Sequence, residues 1–365
     1  MRRRLRPDLS PPAIATGVIG WLHKNLFSSP LNTGLTLLAV YLLYSIVPPL
    51  VQWALINADW TGKTREACTS GGACWVFIRA RFFQFMYGFY PQNSYWRVNT
   101  AFLLLIGLMI PLFIQRFPAK VWLAGFLLIG YPLIAYYLLH GGGFGLSVIE
   151  TSRWGGLMLT LIIAGVGVVA ALPIGTLLAL GRRSEMPIVK SLCITYIEFW
   201  RGVPLITVLF MASVMLPLFL PEGTYFNKLL RAMIGIVMFE SAYMAEVVRG
   251  GLQAIPKGQY EAAAALGLNY WKMMGLIILP QALRLVIPGI VNTFIALFKD
   301  TTLILIIGLF DLLATVEAAF RDPNWLGYAV EGYVFAALVF WVFCFGMSRY
   351  SQALERRFQV GHKHE

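Results

Sequence analysis

The chain alternates long apolar runs with short polar segments. Six runs carry no charge and reach or approach the roughly 20 residues that cross a bilayer: 31–56, 98–114, 121–139, 155–180, 203–220 and 332–348. Two more are interrupted. The run 229–248 contains Glu240 and Glu246, and the run starting at 285 meets Lys299 and Asp300. The pattern predicts about eight transmembrane helices. None of these runs alternates apolar and polar residues as a barrel strand would. Only helices and closed barrels satisfy their backbone groups in hydrocarbon, so the expected fold class is an all-α polytopic membrane protein.

The first apolar run is too long for a cleavable signal peptide, starts too late and lacks an A-x-A site behind it, so it reads as a retained span. Residues 1–150 carry three spans and one long outer loop, 57–97. Residues 151–350 carry five spans and nearly all the patterned features, with a tail at 351–365. The Gly-rich stretch 140–145 marks the boundary. The outer loop is rich in aromatics (Trp60, Trp75, Phe82, Phe83, Phe85, Tyr87, Tyr90, Trp96). Such residues form interfacial belts or pack the loop; a docking surface for an external partner is the alternative.

Composition agrees with the spans. The chain is 58% hydrophobic and 13% charged, with a mean hydropathy of +0.70, where an ordinary soluble domain has about a quarter charged residues. The net charge of +12 is unevenly spread. With the N-terminus inside, the segments 1–30, 115–120, 181–202, 249–284 and 349–365 hold 19 of the 29 Lys and Arg. The outer segments hold nine, five of them in 57–97. That asymmetry orients the protein with both termini cytoplasmic. The charge is a topology signal, and no basic segment is long enough to favour nucleic acid; the MRRRLR opening is a basic arm.

The cysteines sort by side. Cys68 and Cys74 fall in the outer loop, where disulfides are permitted. A small-loop bridge and a pair of free thiols both remain open. Cys193 and Cys344 read as reduced and structural, and no spacing suggests a zinc site. Gly62-Lys63-Thr64 mimics the end of a Walker A motif, but Asn57 stands where its first Gly belongs. No dinucleotide fingerprint, zinc-protease motif or nucleophile elbow occurs. The four histidines are scattered.

The most informative stretch is 249–284. Residues 259–266 are strongly helical in composition. Gly267 suits a helix C-terminus, Asn269 can cap a second short helix, and Pro280 limits its continuation. The expected object is a helix–turn–helix hairpin on the cytoplasmic face. Its residues Glu261-Ala262-Ala263, Gly267, Ile277 and Leu279-Pro280 have the spacing of the EAA loop, and the segment resembles that loop of bacterial ABC importer permeases. Further stretches are similar to the polar amino-acid branch of that family: Tyr196-Ile197-Glu198 with Arg201-Gly202 and Pro204-Leu205; Ala242-Tyr243 with Ala245-Glu246 and Arg249-Gly250-Gly251; and Lys299 with Thr301-Thr302-Leu303, where Thr302 replaces Ser. The three extra N-terminal spans and the long loop resemble the larger membrane subunit of general L-amino-acid permeases.

The resemblance implies a type I importer core of five helices plus three N-terminal ones, and an ATPase-docking loop at 251–284 with Glu261, Ala262, Ala263, Gly267, Leu279 and Pro280. It implies an ATP-binding subunit that holds ATP and Mg, no cofactor on this chain, a second permease subunit in a heterodimer, and a periplasmic amino-acid-binding protein. Function is then a transporter subunit for polar L-amino acids, not an enzyme.

Charged residues at a helix centre cost about 2.5–3.5 kcal/mol on insertion scales and face cavities or partners. Glu246 and Arg249 are three apart and can pair; alternatively Glu246 faces the translocation path. Glu240 has no base three or four residues away, so it reads either as a cavity carboxylate or as a partner of Lys299. The expected path residues are Glu240, Ser241, Glu246, Arg249, Asn292 and Lys299, with Thr293 a further available hydroxyl. Lys299 and Asp300 also read as a helix end, with Thr301 as N-cap of a short apolar helix through Phe310. An ion-coupled secondary transporter using Glu240 and Glu246 is the alternative function; it would not need the hairpin.

Overall fold

A computed structural model describes residues 17–114, 117–143, 145–219, 221 and 226–359. The basic arm, the end of the tail and part of the 140–145 stretch lie outside the described residues. The chain divides into two compact units, Met1–Phe77 and Ile78–Glu365.

In the first unit, α1 (Gly17–Leu26) leads into α2 (Pro30–Val51), which continues as a π-helical stretch, Gln52–Ile56. Ser29 starts α2: its Oγ accepts the Asn32 N–H at 3.2 Å, and Pro30 occupies a first-turn position where a missing donor costs nothing. Beyond α2 the chain closes a small clasp. A disulfide joins Cys68 and Cys74. The Asp59 carboxylate accepts from the Ser70 N–H and hydroxyl at 3.1 and 2.7 Å, which holds its carboxyl below the usual range. Trp75 Nε1 donates to Ala54 O at 2.8 Å, and Trp53 and Trp60 both lie against the Trp75 ring.

The helix α3 (Trp75–Tyr87) begins at the end of the first unit, and the second continues through α4 (Tyr95–Phe113), α5 (Lys120–His140), α6 (Gly156–Arg182), α7 (Pro187–Gly202), α8 (Leu205–Phe210) and α9 (Lys228–Ala254). It ends with α10 (Lys257–Ala265), α11 (Tyr270–Met273), α12 (Leu279–Leu285), α13 (Ile287–Asp300), α14 (Leu312–Phe320) and α15 (Ala329–Gln359). Among the described residues six helices are long and apolar enough to cross a membrane, and a seventh span forms if α7 and the helix after it count as one bent pair. The eighth expected span is α9, 27 residues long, or about 40 Å at 1.5 Å per residue. Its charges Lys228, Arg231, Glu240, Glu246 and Arg249 lower its hydropathy.

The centre of this unit is α6 against α9. Gly167, Ala171, Gly175 and Ala179 are all buried at four-residue spacing, a stripe that lets helix backbones approach. A Cβ on Gly175 would lie 2.9 Å from the Ala245 backbone nitrogen. Two apolar clusters flank this seam. One gathers Met158, Leu159, Ile163, Leu209, Ile236 and Leu297. The other gathers Leu180, Ile197, Val248, Leu252, Ile278 and Ala282. Between α7 and α8 the chain turns by 101°. Pro204 has no N–H to continue the helix and drives Val203 to extended φ −110°, ψ 135°.

Two local expectations are corrected. Thr301 does not cap a new helix. The chain stays helical from α13 into a 3-10 segment, Thr301–Ile307, that ends at Gly308 with φ +72°. With no free N–H to receive, the Thr301 hydroxyl donates back to Phe298 O at 2.8 Å. Pro280 does not end the second hairpin helix either. A π-helical stretch, Met274–Ile278, widens the helix just before it, so Pro280 falls in the opening turn of α12, where a missing N–H is tolerated.

A short strand, Phe310–Asp311, follows the 3-10 segment and bridges in parallel to Gly155 and Gly156. It seats α14. Asp311 caps that helix, accepting from Ala314 N at 2.9 Å and Leu313 N at 3.2 Å. Thr160 Oγ accepts from Leu312 N, and Thr315 Oγ from Gly156 N.

Candidate functional site

The hairpin is built by local rules. The Ala-rich α10 ends in a Schellman motif: Gly267 N–H bonds Ala264 O at 2.9 Å and Leu268 N–H bonds Ala263 O at 3.3 Å. Gly267 supplies the required left-handed φ of +71°. Asn269 then caps the second helix by accepting from Lys272 N at 3.0 Å. Within this frame Glu261, Ala262 and Gly267 are exposed, Ala263 is buried, and Leu279 and Pro280 are half-buried. The tip also presents large apolar side chains to the outside: Leu266 is 77% exposed and Trp271 69%. Apolar surface at a rigid tip marks an interaction site.

The hairpin is braced to the spans by residues that the motif does not name. Arg183, at the C-cap of α6, donates from Nη1 to Leu252 O and to Tyr260 Oη, both at 3.0 Å. Tyr260 Oη donates to the same carbonyl at 3.0 Å, and the guanidinium lies 5.5 Å from the Tyr260 ring centre. Gln281 of α12 reaches back to Gln259 at 3.3 Å.

Above the hairpin, Glu246 is a hub rather than half of a pair. Its Oε2 accepts from Arg249 Nε and Nη2 at 3.0 and 2.7 Å. Its Oε1 accepts from Arg182 Nη1 at 2.8 Å, and Arg201 Nη1 lies 3.7 Å away. Arg182 also bonds Glu198 at 2.9 Å, and Arg201 lies over the Tyr243 ring at 5.8 Å. Three helices, α6, α7 and α9, thus converge on one carboxylate. Sequence spacing reveals only the Glu246–Arg249 pair, since the other partners come from different helices.

The remaining candidates lie elsewhere. Glu240 is buried on α9 and makes no ion pair among the described residues, so it is not joined to Lys299. Ser241 beside it is fully buried, donates to Met238 O at 2.9 Å and shares a hydrogen bond with Tyr196 Oη at 3.0 Å. Asn292 and Lys299 are exposed on α13, seven residues apart and therefore on one face. Thr293 donates to Gly289 O at 3.1 Å.

Long apolar helices and a braced, apolar-tipped hairpin define a multi-pass membrane protein shaped to engage another protein. The chain belongs to the family of binding-protein-dependent transport system inner membrane components, whose model matches residues 171–360. It is 60% identical over 93% of both chains to the inner membrane amino-acid ABC transporter permease protein YhdY of Escherichia coli K12. It is 41% identical over 96% of both chains to the glutamate/glutamine/aspartate/asparagine transport system permease protein BztC of Rhodobacter capsulatus. A crystal structure of an amino acid ABC transporter with histidines aligns at 29% identity and a TM-score of 0.49, covering 55% of this chain and 92% of that one. The chain is accordingly a permease subunit and not an enzyme, and nothing here supports the ion-coupled alternative.

Proposed function

We propose that this chain is the permease of an ATP-driven importer of polar L-amino acids. The observation that carries the reading is the braced hairpin, with Glu261, Ala262 and Gly267 exposed beside Leu266 and Trp271. An ATP-binding subunit receives it, with Glu261, Ala262, Ala263, Gly267, Leu279 and Pro280 forming the docking element. ATP and Mg belong to that subunit, and this chain binds no cofactor. A periplasmic binding protein delivers the amino acid, and a second, different permease subunit completes the path. Both termini are cytoplasmic, in keeping with the distribution of Lys and Arg. Residues 151–350 act as the permease core, 1–150 as an extension of three helices and 351–365 as a cytoplasmic tail.

Closure of the ATPase pair moves the hairpin, and the spans rock as rigid bodies between outward and inward states. Within the path, Glu240 meets the substrate ammonium. Asn292 and Lys299 supply donors for the carboxylate, with Ser241 beside Glu240 and with Glu246 and Arg249 at the inner end. The amino-acid transport named in YhdY and BztC supports the substrate class.

The test is ATP turnover and uptake in liposomes holding the assembled complex, with the binding protein loaded from a panel of amino acids. Polar amino acids should stimulate both. Gly267→Asp and Glu261→Lys should abolish uptake and release the ATP-binding subunit. Normal ATP-driven uptake by both variants, with the subunit still bound, would remove the docking role.

A further inference from the structure

The proposed reading gives the hairpin a partner but leaves open how its motion reaches the spans. Two adjacent arginines at the end of α6 stand at that joint. Arg182 is the last residue of α6, and Arg183 is its C-cap, at φ −95° and ψ 0°. Cations are favoured there by the unpaired carbonyl ends of the helix. Each points to a different body. Arg182 bonds Glu198 of α7 and Glu246 of α9 at 2.9 and 2.8 Å. Arg183 bonds Leu252 O, near the end of α9, and Tyr260 Oη, on the first hairpin helix.

Arg182 and Glu246 are half-buried, at 24% and 16% exposed, while Glu198 is exposed at 54%. Charge-assisted bonds in such places are shorter and stronger than neutral ones. Beyond Arg182, α7 runs from the ion cluster to the 101° bend at 202–204. One continuous series of contacts therefore joins Tyr260, Arg183, Arg182, Glu198 and the bend. The hairpin touches it by a hydroxyl and a ring, so it is attached to the spans by directional bonds as well as by packing.

We propose that Arg182 and Arg183 are positioning residues for energy coupling. Arg183 holds the hairpin to the end of α6, and Arg182 passes its displacement to α7 and the bend. Both act through other residues and touch neither substrate nor nucleotide. The proposal rests on the importer reading given above.

The experiment uses the full complex in liposomes and measures uptake, ATP hydrolysis and their ratio. Arg183→Gln and Tyr260→Phe each remove donors from the clasp while keeping bulk. Uptake per ATP hydrolysed should fall about tenfold, the usual size of a coupling free energy between two sites. The ATP-binding subunit should still co-purify, and the melting temperature of the complex should hold. Arg183→Lys keeps a cation able to reach both acceptors and should restore much of the ratio. Arg182→Gln should show the same uncoupling.

An unchanged ratio in Arg183→Gln and Tyr260→Phe would overturn the proposal. So would a lost ratio that tracks loss of subunit binding or of melting temperature, since that is a packing role only. The unmodified complex separates the two claims: if it shows no ATP-dependent uptake, the importer reading itself fails.

Discussion

Two spans of equal length show how differently one apolar composition is used. Pro30–Ile56 and α6 both run 27 residues and both pass for membrane helices. None of the residues of α2 is buried. Along α6, Gly167, Ala171, Gly175 and Ala179 are buried at regular spacing. α6 is the more apolar of the two, but what sets it apart is a buried stripe of small side chains where α2 carries large ones. Lipid tails are as apolar as leucine, so large side chains gain little by leaving them, while small ones allow close backbone packing. Within its own unit α2 buries none of its side chains, whereas α6 is packed against protein along its small-residue stripe.

Gly175→Leu should break this contrast most sharply. The new side chain would meet the Ala245 backbone and Met244, a clash worth about 3 kcal/mol or more. Yield of monodisperse detergent-solubilised complex should collapse. Gly34→Leu, on α2 with nothing within 4 Å, should leave yield and melting unchanged. Equal losses in both variants would erase the distinction.

Next in size is Glu246→Gln, which leaves Arg182, Arg201 and Arg249 without their shared carboxylate. Fully buried pairs broken this way lose about 3–5 kcal/mol. The arginines here are 24–37% exposed, so solvent screening reduces the loss to about 1–2 kcal/mol. Melting should fall by a few degrees.

The disulfide of the outer clasp should matter less, and locally. Cys68→Ser with Cys74→Ser removes a short closed loop, worth about 2 kcal/mol on the chain-entropy model. Hydrogen exchange should rise in 57–77 and stay unchanged along α6 and α9.

The smallest effect is a pH slope from Asp311, which lies outside the spans. Burial pushes its carboxyl up to about 6. The folded state then holds its proton at pH values where the unfolded chain has released it. Stability is therefore greatest below about pH 4 for this group and falls as pH rises to about 6, with no further change above. Asp311→Asn keeps an acceptor for the α14 cap and should flatten that slope. A slope that persists in the variant would assign it to another group.

Much of this was legible in the sequence, and the rest was hidden for physical reasons. Apolar runs place the starts of the spans to within a few residues, because crossing hydrocarbon forces length and composition together; α9 and α15 run on past the ends of their runs. Asn269 and Gly267 announced the hairpin, because a cap and a left-handed turn each need particular residues. The helix α3 was hidden because its aromatic composition has no clear face. α14 is too short to stand out among the spans, although Asp311 before an apolar stretch is a cap signal. The four-residue repeat of Gly and Ala in α6 also stood in the sequence and marks its packed face. The partners of Glu246 were not legible. Arg182 is 64 positions away, and no periodicity connects residues on separate helices.

The glycine stripe also limits how the molecule can move. Where one backbone rests within van der Waals reach of another, sliding along the contact would drive Met244 and Ala245 into the neighbouring helix. The α6–α9 pair must therefore swing as a single beam. The corner at residues 202–204 and the 3-10 stretch Thr301–Ile307 interrupt the helices next to that beam and are the first places to look for a fulcrum.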